Sequence, residues 1–525
     1  MSVLKYYNTN TSTWDPASLG NQGATGATGP NGATGATGAT GPAGATGATA
    51  GGNIKSDLSK YDATFTTSTS IGTSFYGSIS VALTATTELL IVWGQASAHA
   101  VVWDNTARTF GTPTLLRTAA FTTANDITAI AVSATSVLVC SCPTGSTSLQ
   151  IVVLSISGST ITVNTAVNKT LTDNYIITQA SANNAKNLQL VGTTYVLFYC
   201  GGVYPNKASY SLGITVSGTT PTVGSESQNL NAYDTSLNFV YSSTTIVNIA
   251  GDASTATSFL ITPITVSGTT ITQGTPTSIS ANPPAYRAGL LSTGRIGLVY
   301  ATGGVAYGSI ISISGTTATL STVTVLSSSS SACYVQIIGA QVMVLGAAGA
   351  SQINVLTDNA GTAVAGTQLT NPFGSATWNM AGADSTKVWV QYQNSTTLLN
   401  YYLTYSISGN NPVLSSYLPP TTSLNTAAKY VNFPLPASAG NGGYVDAANS
   451  NNNLITSTYK ICPYITSVNV IVNSFDGISP PVNQAALSFD AASSTRSALN
   501  LYSGWLFGWQ SGLPSYVFAR RIELA

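Results

Sequence analysis

Charge is what this sequence has least of. Only 6% of its 525 residues are charged, 16 Lys or Arg against 16 Asp or Glu, where about a quarter is usual. The formal net charge is zero and no basic run occurs, which excludes electrostatic capture of nucleic acid or an anionic membrane. Histidine occurs once, as His99, and glutamate three times, as Glu88, Glu226 and Glu523. A Ser-His-Asp arrangement or a His-ligated metal would rest on that single imidazole. No phosphate-binding glycine loop, zinc spacing or calcium loop is present. The composition therefore predicts no catalytic residue, no metal site, no cofactor and no enzyme. The five cysteines (Cys140, Cys142, Cys200, Cys333, Cys462) include no C-x-x-C pair and read as free core thiols. The first residues lack a basic stretch followed by an apolar one, so no signal peptide is expected. No run approaches the roughly 18 apolar residues of a membrane span, so no membrane insertion is expected.

Apolar residues are plentiful at 43%, so the chain folds, and solubility falls to Ser, Thr, Asn and Gln. Its front is unusual. Glycine occupies every third position in "GNQGATGATGPNGATGATGATGPAGATGAT", at Gly20, Gly23, Gly26, Gly29, Gly32, Gly35, Gly38, Gly41, Gly44 and Gly47. Only hydrogen fits at the crowded axis of a collagen triple helix, so this phase predicts one over 20–49, about 90 Å long at ~3.1 Å per residue. Three chains follow, a homotrimer. Only Pro30 and Pro42 stiffen the triplets, so the helix needs trimerising neighbours. Residues 1–19 precede it, with Tyr6, Tyr7 and Trp14 flanking a turn at Asn8–Asn10, a short hairpin suited to docking. Residues 50–70 read as a linker.

From residue 71 the texture becomes short Val-, Ile-, Thr- and Tyr-rich strands with Gly, Ser and Asn turns. Two markers repeat. One is a hydrophobic–Ser–Gly–Thr turn, at Gly158, Gly218, Gly268, Gly315 and Gly409, with weaker forms at Gly361 and Asn105. The other is a polar turn entering a buried strand, at Thr86, Thr135, Thr193, Thr244, Thr293, Gly339 and Ser385. Four strands repeating about every 49 residues match the blade of a β-propeller. β-Sandwich modules need roughly twice that period, and solenoid coils are shorter. The fold expected is all-β: a propeller of seven blades over 71–420, a degenerate eighth over 421–474 with Pro463 in place of the turn glycine, and a small β segment over 475–525. That last segment, aromatic-rich, is assigned to trimerisation or receptor contact.

Neutral polar and aromatic loop residues suit sugars, since rings stack on C–H faces while amides and hydroxyls give directional hydrogen bonds. The connectors offer Tyr175, Tyr233, Tyr286, Arg287 and Trp378, and the tail Trp505 and Trp509, as receptor-contact candidates. Each singly also suits the start of a packed strand.

A Tyr/Trp leader running into Gly-Ala-Thr triplets, "LKYYNTNTSTWDPASLGNQGATGATGP" within Met1 to about Pro42, resembles the N-terminus of bacteriophage tail fibre proteins, marine and cyanobacterial ones especially. The resemblance covers under a tenth of the chain. It implies a homotrimeric virion fibre assembled in the host cytoplasm. Residues 1–19 would meet a tail or baseplate protein, and the distal part a host surface glycan such as lipopolysaccharide. Two alternatives stand: a bacterial spore or cell-surface filament, in which such triplets also occur, and a glycan-degrading tailspike.

Overall fold

The computed structural model describes residues 5–8, 13–16 and 54–65, then 75–421 and 454–524 apart from gaps at connectors. Two units separate, 1–50 and 51–525. The first contains a hairpin of Lys5–Asn8 and Thr13–Pro16, antiparallel, with Tyr7 opposite Trp14 and Tyr6 opposite Asp15. Of the turn expected at Asn8–Asn10, Asn8 ends the first strand and the rest lies outside the described residues. The ten triplet glycines lie outside the described residues.

The second unit is all-β, with no helix among the described residues. Its described residues form nine antiparallel sheets of four or five strands, taken in chain order. Sheet 1 illustrates the plan: Phe75–Ala82, Thr87–Gly94 and Ser97–Asp104 run up and down, and an outer strand is broken into Thr109–Phe110 and Thr114–Thr118. Sheets 2 to 7 follow over 127–170, 188–229, 232–280, 286–327, 333–370 and 376–421. First strands of consecutive sheets, from Phe75–Ala82 to Ala376–Ala383, lie side by side.

Why the second and third strands read as unbroken apolar runs is visible in their packing. In "SVLVC", Val137 and Val139 pack toward sheet 1, while Leu138 and Cys140 pack toward sheet 3. Tyr195, Leu197 and Tyr199 face sheet 2, while Val196 and Phe198 face sheet 4. A strand buried on both faces loses the polar alternation of a half-buried one. Cys140 and Cys142 sit in one core cluster as free thiols, and Cys200 is a further buried cysteine outside any disulfide.

The repeated Ser-Gly turn closes the third and fourth strands. Gly158, Gly218, Gly268, Gly315 and Gly409 have φ between 55° and 61°, the positive value that a two-residue II′ hairpin loop needs at its first position. Two sheets close the same connection with other turns, a longer one between Asp104 and Thr109 in sheet 1 and one with both Ala360 and Gly361 at positive φ in sheet 6. In sheet 1 Arg108 has φ 55°, and Asp104 Oδ1 accepts from the amides of Thr106 and Ala107 at 2.8 and 2.9 Å. In sheet 6 Ala360 has φ 51°, and Asp358 Oδ1 accepts from the Gly361 amide at 2.7 Å. An aspartate that hydrogen-bonds its own turn replaces the missing conformational freedom.

Four of these turns, those of Gly158, Gly268, Gly315 and Gly409, also press on a glycine of the preceding sheet's outer edge. A Cβ on Gly111 would meet Ser159 O at 2.2 Å, one on Gly274 would meet Thr316 O at 2.4 Å, and one on Gly366 would meet Asn410 O at 1.6 Å. The turn carbonyls accept further bonds across the same seams, from Thr194 Oγ1 to Gly268 O at 2.8 Å and from Gln341 Nε2 to Gly409 O at 2.7 Å.

Three expectations are corrected here. Residues 54–65, placed in a linker, form the strand Ile54–Phe65, antiparallel to Ser515–Leu524. Its four charges disguised it, although charge is a usual protection for a sheet edge. Pro463 is inside Lys460–Ile465, opposite Val472, so it is not the turn residue, and Val482–Ser488 extends this eighth sheet beyond 474. The tail 475–525 is no appendage: Thr495–Tyr502, Trp505–Ser511 and Ser515–Leu524 build a ninth sheet with Ile54–Phe65 as its fourth strand.

Two outcomes are expected. Gly274→Ala has no room, with Pro263 O also only 2.8 Å from the new Cβ, and should lower unfolding stability by about 1–3 kcal/mol, measured by urea denaturation. Asp358 bridges sheets 5 and 6, accepting from Arg295 Nε at 2.7 Å and Thr293 Oγ1 at 2.5 Å. Burial raises its pKa, but these bonds and that from Gly361 outweigh burial and hold it below 3.8. Its contribution is complete above 3.8 and disappears as pH falls through the lower folded-state value. The melting-temperature gap between wild type and Asp358→Asn should therefore be widest near neutrality and close in acid.

Candidate functional site

The meander gives every sheet two unlike ends. First and second strands join through short turns such as 134–135, 192–193 and 243–244, and third and fourth strands through the Ser-Gly turns; both lie at one end. At the opposite end lie the connectors from second to third strand and from sheet to sheet, among them 171–187, 202–207, 253–257 and 281–285. The bonds from Thr194 and Gln341 to turns of neighbouring sheets show that adjacent sheets point the same way. The turn end is uniform and the loop end varied. Ile54 is opposite Leu524 at the turn end, while Phe65 is opposite Ser515 at the loop end, so the chain enters its sheets at the turn end.

Four of the five connector candidates are placed by the strands. Tyr233 lies next to the start of Ala232–Ser242, Tyr286 and Arg287 begin Tyr286–Leu290, and Trp378 is near the start of Ala376–Ala383. All four are first-strand residues at the loop end. Tyr175 lies outside the described residues. Tyr286 is corrected as a receptor contact: it is 3% exposed, stacks on Phe259 with centroids 4.9 Å apart, and donates from its hydroxyl to Ile249 O at 3.4 Å. A tyrosine opening an inner strand is drawn into the seam between sheets. Arg287 is half-buried and donates from Nη1 to Tyr286 O at 2.9 Å. Trp505 and Trp509 share one strand but not one level. Trp505 is opposite Tyr502 beside the turn 503–504, and Trp509 lies toward the loop 512–514. Tyr6, Tyr7 and Trp14 belong to the separate N-terminal hairpin.

The loop end also gathers a tyrosine–carboxylate group that composition did not single out. Tyr199 and Tyr210, on adjacent strands of sheet 3, stack with centroids 5.0 Å apart. Tyr199 donates to Glu226 and Tyr210 to Asp173. Glu226 Oε2 also accepts from Thr172 N at 3.0 Å and Thr172 Oγ1 at 2.7 Å. Burial first, then the Asp173 carboxylate, pushes the Tyr210 phenol far above its ordinary value. The Tyr210 phenol stays a protonated donor, and the group ties the connector after Leu171 to sheet 3. A signal was present: tyrosines recur opposite one another as Tyr199–Tyr210, Tyr300–Tyr307 and Tyr392–Tyr401, in sheets 3, 5 and 7.

A shifted imidazole and a shifted carboxyl both lie in sheet 1. Burial lowers the His99 pKa to about 4, so the ring is neutral at pH 7, with Ser97 Oγ 3.4 Å from Nδ1. Glu88 is 1% exposed and burial raises it to about 8, the Ser80 side chain opposing only weakly. Glu88 is opposite Trp103 and His99 opposite Val92, four positions up the strand from Glu88, roughly 13 Å at ~3.3 Å per residue. They are not an acid–base couple. Among the described residues no group of three or more His, Cys, Asp or Glu could hold a metal ion, and no helix is long and apolar enough to cross a membrane.

No family model and no curated protein matches the chain. Solved structures do resemble it. The WD40 domain of SCAP from fission yeast is 9% identical, over 90% of this chain and 94% of that one, with a TM-score of 0.37. The Pseudomonas aeruginosa periplasmic gluconolactonase is 12% identical, over 69% and 96%, at 0.36. A Dos1 propeller is 10% identical, over 77% and 92%, at 0.39. The expectation that the chain is not an enzyme is withdrawn, because an enzyme stands among the structures it resembles and poverty in histidine does not exclude catalysis. At these TM-scores no activity passes to this chain.

One outcome follows for Glu88. A carboxyl raised by burial destabilises the fold progressively as pH climbs from 4.5 to about 8, because the unfolded chain ionises first. Glu88→Gln should match wild type below pH 4.5 and melt increasingly above it up to about pH 8, as followed by circular dichroism.

Proposed function

We propose that the chain is a receptor-binding tail fibre protein of a bacteriophage. Three copies join through a collagen-like triple helix over 20–49, residues 1–19 dock on a tail or baseplate protein, and the head meets a host surface glycan such as lipopolysaccharide. The head is a β-propeller whose blades are the nine sheets, and its loop end is the receptor face. One observation carries the reading: the chain enters the sheets at the turn end, at Ile54, directly after ten in-phase triplets. The opposite end, with the longer connectors and Tyr233 and Trp378, is left free for a partner. The chemistry fits a neutral glycan, since the connectors are rich in Asn, Ser, Thr and Tyr and the chain has no net charge. Weak contacts on three heads combine into avidity without any single tight site.

Sedimentation at micromolar concentration is expected to give three times the 53.6 kDa chain mass; a monomer would sink the proposal. With lipopolysaccharide as the immobilised probe, Tyr233→Ala and Trp378→Ala should each weaken retention about five-fold or more, as loss of an aromatic anchor worth more than 1 kcal/mol does. Unchanged retention in the double variant would move the receptor face elsewhere.

A further inference from the structure

The strand Ile54–Phe65 is the fourth strand of the ninth sheet and pairs with Ser515–Leu524. In a chain with so few charges it holds four: Lys55, Asp57, Lys60 and Asp62. The register sets Lys55 opposite Glu523, one of the three glutamates, and Asp57 opposite Arg521. The ladder then shifts and resumes from Tyr61 opposite Ala519 to Phe65 opposite Ser515. The outer-strand segments that directly follow the Ser-Gly turns are uncharged and nearly interchangeable: "TITV" at Thr160–Val163, "TITQ" at Thr270–Gln273 and "TATL" at Thr317–Leu320. Nothing in hydrophobic pattern would stop one of these from being tried against Ser515–Leu524 during folding. Opposite charges directly across an antiparallel pair stabilise it, and like charges in the same places oppose it.

We infer that the two opposed charge pairs are a pairing code that selects Ile54–Phe65 to complete the last sheet. The strand acts as a latch. Thr495–Tyr502, at the other side of the same sheet, lies beside Phe75–Ala82 of sheet 1, so the latched sheet joins the last part of the unit to the first. Charge is placed here, in a chain that avoids it, because a Ser/Thr-rich repeat has no other cheap means of telling one strand from another. The inference is independent of the receptor reading and holds whatever the loop end binds.

The test is a reversal cycle in the full-length chain, read by hydrogen exchange of residues 54–65 and 515–524. Lys55→Glu and Glu523→Lys each place like charges opposite one another. Each should speed exchange in both segments about five-fold, the factor that about 1 kcal/mol corresponds to, and leave Thr194–Gly201 unchanged. The double reversal should return both segments to wild-type rates, and molar salt should shrink the effect of either single change. If a single reversal prevents folding, Lys55→Gln supplies a milder step, expected to speed exchange less than Lys55→Glu. Asp57→Arg with Arg521→Asp gives a second, separate cycle. Singles that leave exchange unchanged, or a double no slower than its singles, would overturn the code.

Discussion

The structure depends on a carbonyl that needs an empty space. At seam after seam, the turn between third and fourth strands of one sheet lays a backbone oxygen against a glycine of the sheet before it, as Thr316 does against Gly274 and Asn410 against Gly366. Methyl-sized additions there leave no van der Waals gap. The contact sets the separation of neighbouring sheets at one end. Side chains drawn from both sheets, such as Ile91 and Val139 in one seam or Ile249 and Leu298 in another, then fill the space behind. The Ser-Gly-Thr motif thus acts twice, first as a bend with positive φ and then as a spacer between sheets.

With few charges to spend, the interior handles its polar groups by neutral hydrogen bonds. Asn248 Nδ2 donates to Asn238 Oδ1 at 2.7 Å, and Gln189 Nε2 donates to Asn238 O at 2.8 Å, all three residues buried. The ion pair Arg295–Asp358 is placed where a turn lacks its usual residues. Glu88 is the counterexample, a carboxyl at 1% exposure held neutral by its surroundings. Buried amides and hydroxyls cost little when paired, so a low-charge chain can carry a polar interior across many seams.

The repeat was legible because both its markers are local. Gly158, Gly268 and Gly315 announce the bends that their φ values require, and Thr135, Thr193 and Thr244 stand in the turns between first and second strands. The apolar stretches after the polar turns read as buried strands, and their packing adds that both faces are covered. What escaped was decided at long range. Lys55 and Asp57 look like linker residues until Glu523 and Arg521 are opposite them, and the ninth sheet cannot be counted without that pairing. Tyr286 looked like a loop aromatic because its connector is visible in sequence and Phe259, on which it stacks, is not. Tyr199, Tyr210, Asp173 and Glu226 converge from four segments, none of which carries a motif.

Eight of the nine sheets are made from neighbouring sequence, so each can form as soon as its own few dozen residues are available. The ninth is different, because Phe65 and Ser515, opposite one another in its ladder, are 450 positions apart. During synthesis from the amino end, Ile54–Phe65 emerges early and has no partner until nearly all the rest has been made. Completion of the unit is therefore a single late event, slow to close on entropic grounds. Until it occurs, the nascent protein carries an unmatched strand at each extremity of an otherwise finished array.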